Sequence, residues 1–365
     1  MRSPIEWLES LSPWPEEFGL GRMHTLLTEI GEPQRTFPAI HVVGTNGKST
    51  ATRRAAAFLG REGVLAGAYT SPHVAGWSER VQVEGADADF EQALERVRPA
   101  AERIRATQFE VLTAAALAEF AHAEVEVAVV EAGLGGRLDA TNVLAAAVVA
   151  LTNVSLDHTD VLGHTREAIA EEKLAVVTPG ATVVLGEPEW DSRARARGAA
   201  AVVHTQDVGR AAAEGFLGRP LGGEVEIVMP GRFEQVGEDV FAGAHNPAGV
   251  AWLLERLHRQ DYVVVASILV DKDAEAMLAA LAQAGRALVA TSSTNARALP
   301  AEELARRAAP FFEAVEVDAD PGGAVARARE LAGDDGAVLV TGSLYLLADL
   351  TVRLQRVPWK SSASA

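Results

Sequence analysis

The 365-residue chain contains no cysteine, so disulfides, thiolate metal sites and a cysteine nucleophile are all excluded. It also lacks an uncharged apolar run of the roughly 18 residues that a membrane-spanning helix needs. Its first ten residues include Pro4, Glu6 and Glu9, whereas a secretory signal would have basic and then apolar residues. We therefore expect a cytoplasmic protein without a membrane segment.

Basic residues are also in short supply, since 33 Lys and Arg stand against 50 Asp and Glu, a formal charge of −17. This charge argues against nonspecific binding to nucleic acid. An anionic ligand must instead be held by a locally positive pocket. We expect small-molecule partners, with no nucleic acid and no membrane, and a monomeric chain.

Short apolar runs that end at Gly, Ser, Thr or Asn alternate with helical patterns, as in an α/β protein with a parallel sheet buried on both faces. The runs are Ile40–Val43, Val125–Val130, Ala146–Leu151, Thr182–Leu185, Tyr262–Leu269, Ala287–Ala290 and Ala337–Val340. The length favours two domains, with a boundary near the end of the Gly- and Pro-rich stretch Gly215–Gly231. We predict a P-loop-type doubly wound, mostly parallel sheet in residues 1–230, and a second, smaller Rossmann-like α/β domain in residues 231–365.

The segment Gly44–Thr50, Gly-Thr-Asn-Gly-Lys-Ser-Thr, joins the first run to a helix-prone segment and is here named the phosphate loop. Backbone N–H groups in such a loop approach phosphate oxygens, and the helix N-terminus adds partial positive charge. Lys48 is placed to reach the β- and γ-phosphates, and Ser49 to ligate Mg²⁺. The general pattern requires glycine at 42, where this chain has Val42, so a glycine turn with a solvated lysine is the alternative.

Two further segments follow apolar runs and offer metal ligands. Ser71-Pro72-His73 supplies a hydroxyl beside a proline-fixed turn, although an ordinary strand-ending turn is the simpler interpretation. Glu131 ends an apolar run and is costly to bury without a cation, which favours metal ligation over a solvent-facing position. The three glycines that follow it allow a ligand to approach the backbone closely.

His158 and Lys173 are ambiguous from the residues alone. His158 follows another strand and is a metal ligand, a base or a core histidine. Lys173, preceded by two glutamates, has the pattern of a solvated helix lysine. In the second half, Arg232 is suited to bidentate phosphate binding, whereas Asp271-Lys272-Asp273 is typical of a helix N-cap.

These strings together resemble the folylpolyglutamate synthase/dihydrofolate synthase family of the Mur ligase superfamily, in order and over nearly the whole chain. They are Phe18–Arg22, His41–Thr50, Ser71–His73, Glu79–Val81, Thr107–Glu110, Glu131–Asn142, Asp157–Thr159, Leu162–Thr165, Glu172–Lys173, Gly231–Arg232, Gly243–Pro247, Asp271–Asp273 and Thr341–Leu344. The short glycine spacing of the phosphate loop resembles that of these ATP-dependent amide ligases.

The resemblance implies an ATP- and Mg²⁺-dependent ligase that joins L-glutamate to dihydropteroate or a reduced folate through an acyl phosphate. It also implies an ATP-binding N-terminal domain, a glutamate-ligase-like C-terminal domain and a place in folate and one-carbon metabolism. The implied residue roles are as follows: Asn46, Gly47, Lys48, Ser49, Thr50, Arg232 and His245 for the nucleotide; Ser49, Ser71, Glu131 and His158 for Mg²⁺; Lys48, His158 and Lys173, the last carbamylated, for catalysis; and Pro15–Phe18, Thr107, Phe109, Glu110, Leu138, Asp139 and Ala140 for the pterin pocket.

The chain departs from the family's pattern in the C-terminal half of the nucleotide site. It has Ala242 where the family has an aspartate, and the segment between Lys173 and Arg232 is short. A nucleotide-binding homologue with lost or altered ligase activity is therefore one alternative. A Mur-type ligase is another, but it would require a UDP-binding domain, and only 43 residues precede Gly44.

Overall fold

The computed structural model describes residues 2–13, 15 and 17–354. They form two compact units. The first contains the chain up to Pro72 and Trp77–Val228, and the second contains His73–Gly76 and the chain from Met229 onward. None of the helices in the described part of the chain is long and apolar enough to cross a membrane.

The first unit has eight strands and nine α-helices among its described residues. The strands are β1 (Ala39–Val43), β2 (Ala66–Tyr69), β3 (Val81–Val83), β4 (Ala86–Asp87), β5 (Val127–Glu131), β6 (Ala146–Leu151), β7 (Thr182–Leu185) and β8 (Ala201–His204). The helices are α1 (Pro4–Glu9), α2 (Gly21–Glu29), α3 (Lys48–Arg61), α4 (Phe90–Ile104), α5 (Gln108–His122), α6 (Thr159–Leu162), α7 (Arg166–Leu174), α8 (Asp191–Ala196) and α9 (Val208–Leu217).

These strands form one sheet in the order β4-β3-β2-β5-β1-β6-β7-β8. The six strands from β2 to β8 in that order are parallel, and β3 pairs antiparallel with both β2 and β4 at one edge. Since carboxyl ends of parallel strands share an edge, the loops after β1, β2, β5 and β6 meet there. This edge brings four sequence-distant segments to one place.

The second unit has a six-stranded sheet in the order β13-β12-β11-β14-β10-β9, with β9 antiparallel. Its strands are β9 (Arg232–Val236), β10 (Asp239–Ala242), β11 (Tyr262–Ala266), β12 (Ala287–Ala290), β13 (Ala314–Val317) and β14 (Ala337–Thr341). Its helices are α10 (Pro247–Leu254), α11 (Ala274–Leu281), α12 (Ala301–Ala308), α13 (Pro321–Ala332) and α14 (Leu344–Leu354).

Both sheets are covered by helices on their two faces. In the first unit, Ile40 and Val42 of β1 pack into one apolar cluster with α3 and α9, while Ala39 and Val43 point to the opposite face. Consecutive side chains alternate across a strand, so a continuous apolar run serves both faces. The predicted fold class, two α/β units with mostly parallel sheets, is confirmed.

Candidate active site

The phosphate loop connects the end of β1 to the start of α3. Gly44 has a φ of 147°, and a Cβ at this position would lie 1.9 Å from Thr152 Oγ1, so a larger residue does not fit. Gly47, with a φ of 80°, is the N-cap of α3. The first turn of a helix leaves N–H groups without helical partners, which creates an anion site. Val42 is buried inside β1, so the tight turn begins at Gly44 rather than at position 42.

Residues after β6 fix the shape of the phosphate loop. Asn153 Oδ1 accepts a hydrogen bond from Asn46 N at 3.0 Å, and its Nδ2 donates to Asn46 O at 3.2 Å. Thr152 Oγ1 donates to the same carbonyl at 2.7 Å, and Thr45 N donates to Asn153 O at 2.9 Å. Neither Thr152 nor Asn153 was among the residues predicted from the sequence to form the site. Their hydroxyl and amide side chains, directly after a strand, were the feature of the sequence that could have indicated this role.

The predicted metal ligands Ser49, Ser71 and Glu131 lie together at this edge. Glu131 is 1% exposed; its Oε1 accepts from Ser49 Oγ at 3.1 Å and its Oε2 from Ser71 N at 3.0 Å. Among the residues that the structure describes, no cluster of three or more His, Asp or Glu side chains could hold a metal by itself. One carboxylate and one hydroxyl beside a phosphate site nevertheless fit Mg²⁺, which keeps water and takes substrate phosphates as ligands.

His158 lies in the loop after β6, where it precedes α6 with a φ of 50°. Its Nε2 is 3.9 Å from Asp157 Oδ1, and its side chain is 31% exposed. The loop therefore places His158 at the same sheet edge as Glu131. Its predicted role as a metal ligand or base stays a prediction.

Lys173 is buried near the end of α7, and its Nζ donates a 2.7 Å hydrogen bond to the carbonyl of Gly44. Burial, followed by the positive charge of Lys48, lowers the pKa of Lys173 to about 7. The interpretation of Lys173 as a solvated helix lysine is therefore wrong. With a pKa near 7 a substantial fraction of this amine is uncharged at neutral pH, and the uncharged amine is the nucleophilic form.

The loop after β5, residues 133–141, is here named the glycine loop. A Cβ at Gly133 would lie 2.3 Å from Cζ of Phe109 in α5. At Gly136 it would lie 2.7 Å from the carbonyl oxygen of Glu172 and 2.8 Å from that of Lys173, both in α7. The loop therefore packs directly against two helices, and this contact depends on the missing side chains.

Three predicted pterin-pocket residues are consecutive in the glycine loop but differ in burial. Leu138 is 45% exposed, whereas Asp139 and Ala140 are buried. The carboxylate of Asp139 accepts hydrogen bonds from Leu134 N at 2.7 Å, from Thr141 N at 3.0 Å and from the Thr141 hydroxyl. Burial raises the pKa of Asp139, and these hydrogen bonds oppose that shift.

Thr107 and Glu110, also predicted to line the pterin pocket, form the capping box of α5. Glu110 Oε2 accepts from Thr107 N and from Thr107 Oγ1, each at 2.8 Å, and from Arg22 Nε at 2.7 Å. These contacts give both residues a structural role at the start of the helix. Phe18 is 46% exposed, and Glu16, within the predicted Pro15–Phe18 segment, lies outside the described residues.

Arg232 lies in the second unit as the first residue of β9, opposite Ala242. The register shifts between Phe241 and Ala242, and Phe233 has a φ of 101°, unusual for a residue with a side chain. Such an irregularity in a strand pair changes the direction of the neighbouring side chain. Local backbone strain thus occurs beside the predicted nucleotide-binding arginine.

His245 precedes α10 in the same unit. Its Nδ1 is 2.9 Å from the carbonyl oxygen of Gly243. A carbonyl only accepts, so this ring nitrogen carries the proton. Asn246 is the N-cap of α10 and accepts from Gly249 N at 2.8 Å. In a neutral His245, Nε2 is then the nitrogen that can accept a hydrogen bond.

Comparison with known proteins identifies both halves of the chain. The Mur ligase middle domain matches residues 42–214, and the Mur ligase glutamate ligase domain matches residues 231–344. A dihydrofolate synthase/folylpolyglutamate synthase of Mycobacterium tuberculosis is 32% identical, over 82% of this chain and 80% of the relative.

Solved structures agree with this assignment. A folylpolyglutamate synthase of M. tuberculosis complexed with ADP superimposes with a TM-score of 0.89 at 29% identity, over 98% of this chain and 99% of that one. A bifunctional folylpolyglutamate synthase/dihydrofolate synthase with Mn, AMPPNP and L-glutamate bound gives 0.85 at 27% identity, over 97% and 98% of the two chains. The chain belongs to the folylpolyglutamate synthase/dihydrofolate synthase family of Mur ligases.

Proposed function

We propose that this chain is an ATP-dependent ligase that joins L-glutamate to the carboxylate of a pterin or folate. The observation that carries the proposal is the contact between Ser49 Oγ and the buried carboxylate of Glu131 at the N-terminus of α3. The contact would combine the proposed phosphate cradle with the proposed cation ligand at one sheet edge. The family assignment supplies the acceptor and the amino acid.

The reaction has two steps. The acceptor carboxylate attacks the γ-phosphorus of ATP, which gives an acyl phosphate and ADP. The amine of glutamate then attacks the acyl carbon; phosphate leaves with the C–O electron pair, and the amine loses a proton. In the first step, the N–H groups of the phosphate loop and the ammonium of Lys48 would neutralise the transferring phosphoryl group.

Mg²⁺ would be held by Ser49 Oγ and Glu131, with Ser71 and His158 as the further predicted ligands. When bound, it would neutralise phosphate charge and orient the γ-phosphoryl group. Arg232 and His245 are proposed nucleotide contacts from the second unit. The exposed Leu138 and the Phe109 ring, which packs on Gly133, are proposed to line the acceptor pocket.

The proposal is tested by phosphate release from purified protein with ATP, Mg²⁺ and L-glutamate. Dihydropteroate and a tetrahydrofolate are supplied in parallel, since turnover on each separates the two synthase activities. The amide product is identified by mass spectrometry. Absence of phosphate release with both acceptors would defeat the proposal. ATP binding that persists without any turnover would favour the alternative suggested by Ala242, a nucleotide-binding homologue without ligase activity. Light scattering tests the predicted monomer, and cell fractionation tests the predicted cytoplasmic location.

Lys173 is proposed to react with CO₂ to form a carbamate, which converts a buried cation into an anion beside the phosphate loop. The amine nitrogen attacks the carbon of CO₂, and one proton is released to solvent. Only four of the 33 basic residues are lysine and the rest are arginine. A lysine at this position is therefore an uncommon choice in this chain. An arginine would stay charged and unreactive.

This carbamate should appear as the pH rises through about 7, because the pKa of Lys173 lies there. The protein is equilibrated with isotopically labelled bicarbonate and examined by carbon NMR at pH values from about 6 to about 8. We expect a carbamate signal that grows with pH and is absent from Lys173→Met. Persistence of the signal in that variant, or no signal in the wild type, would contradict the assignment.

The unmodified amine also predicts a stability change. Between the folded-state pKa of about 7 and the ordinary value of 10.5, the unfolded chain holds a proton that the folded chain lacks. Stability from this group therefore rises with pH across that window and falls as pH drops towards 7. Denaturant titrations of wild type and Lys173→Met in CO₂-free buffer measure the difference. Parallel pH profiles for the two proteins would contradict it.

A further inference from the structure

His41 is a fully buried imidazole on β1, the strand that leads into the phosphate loop. Its Nε2 lies 2.8 Å from the hydroxyl oxygen of Thr141, 100 residues along the chain. Its Nδ1 is buried and has no hydrogen-bond partner among the residues that the structure describes. Burying a polar atom without a partner destabilises a protein, and an apolar side chain would fill this space without that penalty. The position of His41 therefore calls for a reason beyond packing.

Thr141 is the last residue of the glycine loop and connects His41 to Asp139. Both its hydroxyl and its backbone N–H donate to Asp139 Oδ1. The other carboxylate oxygen of Asp139 accepts from Leu134 N at 2.7 Å. The Asp139 carboxylate thus joins the two ends of the loop, and Thr141 links this closure to the sheet.

The donors and acceptors of the network can be assigned in order. A hydroxyl has one proton, and Thr141 donates it to Asp139 Oδ1. The Thr141 oxygen then accepts from His41, so Nε2 of His41 carries a proton. Burial agrees with a neutral ring, since it lowers the pKa of His41 to about 4.

This network fixes the loop from the side of the sheet. Leu138, adjacent to Asp139, is 45% exposed, and the start of the loop packs on the ring of Phe109. Both residues are proposed to line the acceptor pocket, so the shape of the loop determines the shape of that pocket. The strand of His41 continues within three residues into Gly44. The strand β1 therefore supports both the glycine loop and the phosphate loop.

We infer that His41 is a positioning residue for the acceptor: through Thr141 and Asp139 it holds the glycine loop in the shape that receives the pterin ring. The inference rests on the proposed function and deepens it. Neither His41 nor Thr141 needs to touch the substrate. Their loss should weaken acceptor binding while ATP binding is retained.

The test compares pairs of variants that differ in one group. Thr141→Val removes the hydroxyl at nearly constant shape, and Thr141→Ser keeps it. His41→Leu removes the donor, and His41→Gln keeps an uncharged N–H near the position of Nε2. Loss of one buried hydrogen bond should raise KM for the pterin acceptor by about tenfold. KM for ATP and for glutamate should stay within about twofold, and Thr141→Ser and His41→Gln should recover most of the loss.

Two further measurements separate positioning from simple stability. The double variant His41→Leu/Thr141→Val should be no worse than the more impaired single variant, since both break one chain of hydrogen bonds. Acceptor Kd is measured by calorimetry with a non-hydrolysable ATP analogue, which does not depend on turnover. If His41→Leu fails to fold, the Thr141→Val and Thr141→Ser pair decides the question.

The outcomes are distinguishable. Equal rises in KM for acceptor and ATP, or a lowered Tm with unchanged kinetics, would overturn the role of His41 while the wild type remains an active ligase. A wild-type protein that neither binds nor turns over any pterin would overturn the proposed function and this inference with it. Selective loss of acceptor binding with recovery in the conservative variants would support the inference.

Discussion

A Lys48→Ala substitution is expected to reduce kcat/KM by on the order of 10³-fold or more, because it removes a positive charge from the transferring phosphoryl group. Lys48 is the first residue of α3, and its Nζ donates to the carbonyl of Thr45 at 3.1 Å. The side chain is only partly buried and belongs to none of the apolar clusters. The variant should therefore keep its fold and its Tm. Phosphate release and thermal unfolding measure the two effects.

Lys48→Met is the matched partner of this variant, since it removes the charge at similar side-chain length. Arg35→Ala is the control for a surface cation, because the Arg35 side chain is 72% exposed and pairs with Glu32. We expect Arg35→Ala to turn over within about twofold of the wild type, as surface pairs contribute little. Wild-type turnover in either Lys48 variant would exclude the phosphate-binding role.

A Glu131→Gln substitution is expected to lower turnover by on the order of 10²–10³-fold at fixed Mg²⁺. The change keeps the shape of the side chain but removes the charge that would hold the cation. It also replaces one acceptor oxygen by an NH₂ group. The side chain then keeps only one of the two oxygens that accept from Ser49 Oγ and Ser71 N. The half-saturating Mg²⁺ concentration should rise, and a titration of phosphate release against Mg²⁺ measures it.

Glu119→Gln serves as the control for a buried carboxylate. Glu119 of α5 is 7% exposed and forms an ion pair with Arg96 of α4. This substitution should lower stability, since it breaks a partly buried pair, and leave the Mg²⁺ dependence unchanged. A Mg²⁺ dependence in Glu131→Gln that matches the wild type would show that Glu131 is only a structural acceptor for the two serines.

The central strands could be predicted from the sequence because their residues are apolar on both faces. The predicted bounds of β6, β7 and β12 agree with the structure residue for residue. The strands β8 and β13 were missed, since they are largely exposed and lack a continuous apolar run. The predicted runs also leave out β2 and β10, which are buried at every residue; β2 consists mostly of small residues and β10 begins with an aspartate, so neither has a strong apolar pattern.

Two helices show where local patterns mislead. The helix α4 has 15 residues and an amphipathic face, but Pro99 lies inside it, and a proline is a signal against a continuous helix. The end of α9, at Gly215, was assigned to a Gly- and Pro-rich boundary stretch. A Cβ at Gly215 would lie 3.3 Å from Thr182 Cγ2, so a small residue suits helix-to-sheet packing here. This contact with Thr182 is not visible in the local sequence.

The candidate site divides in the same way. The phosphate loop was identifiable because its glycines, lysine and hydroxyls are adjacent in the chain. The burial of Lys173 was not, since its neighbours Glu171 and Glu172 give a solvated pattern and its acceptor, Gly44, is 129 residues away. The link between His41 and Thr141 spans 100 residues and was missed for the same reason.

The position of β1 between β5 and β6 has a consequence for the order of folding. The phosphate loop precedes by 107 residues the asparagine that fixes its shape. During synthesis the residues of the phosphate loop are therefore made long before the residues that fix its conformation. A nascent chain that ends before β6 should not bind nucleotide. Closing so long a loop costs chain entropy, and contacts of this sequence separation slow folding. Added ATP should therefore stabilise the last species to form during refolding and leave the earlier ones unaffected.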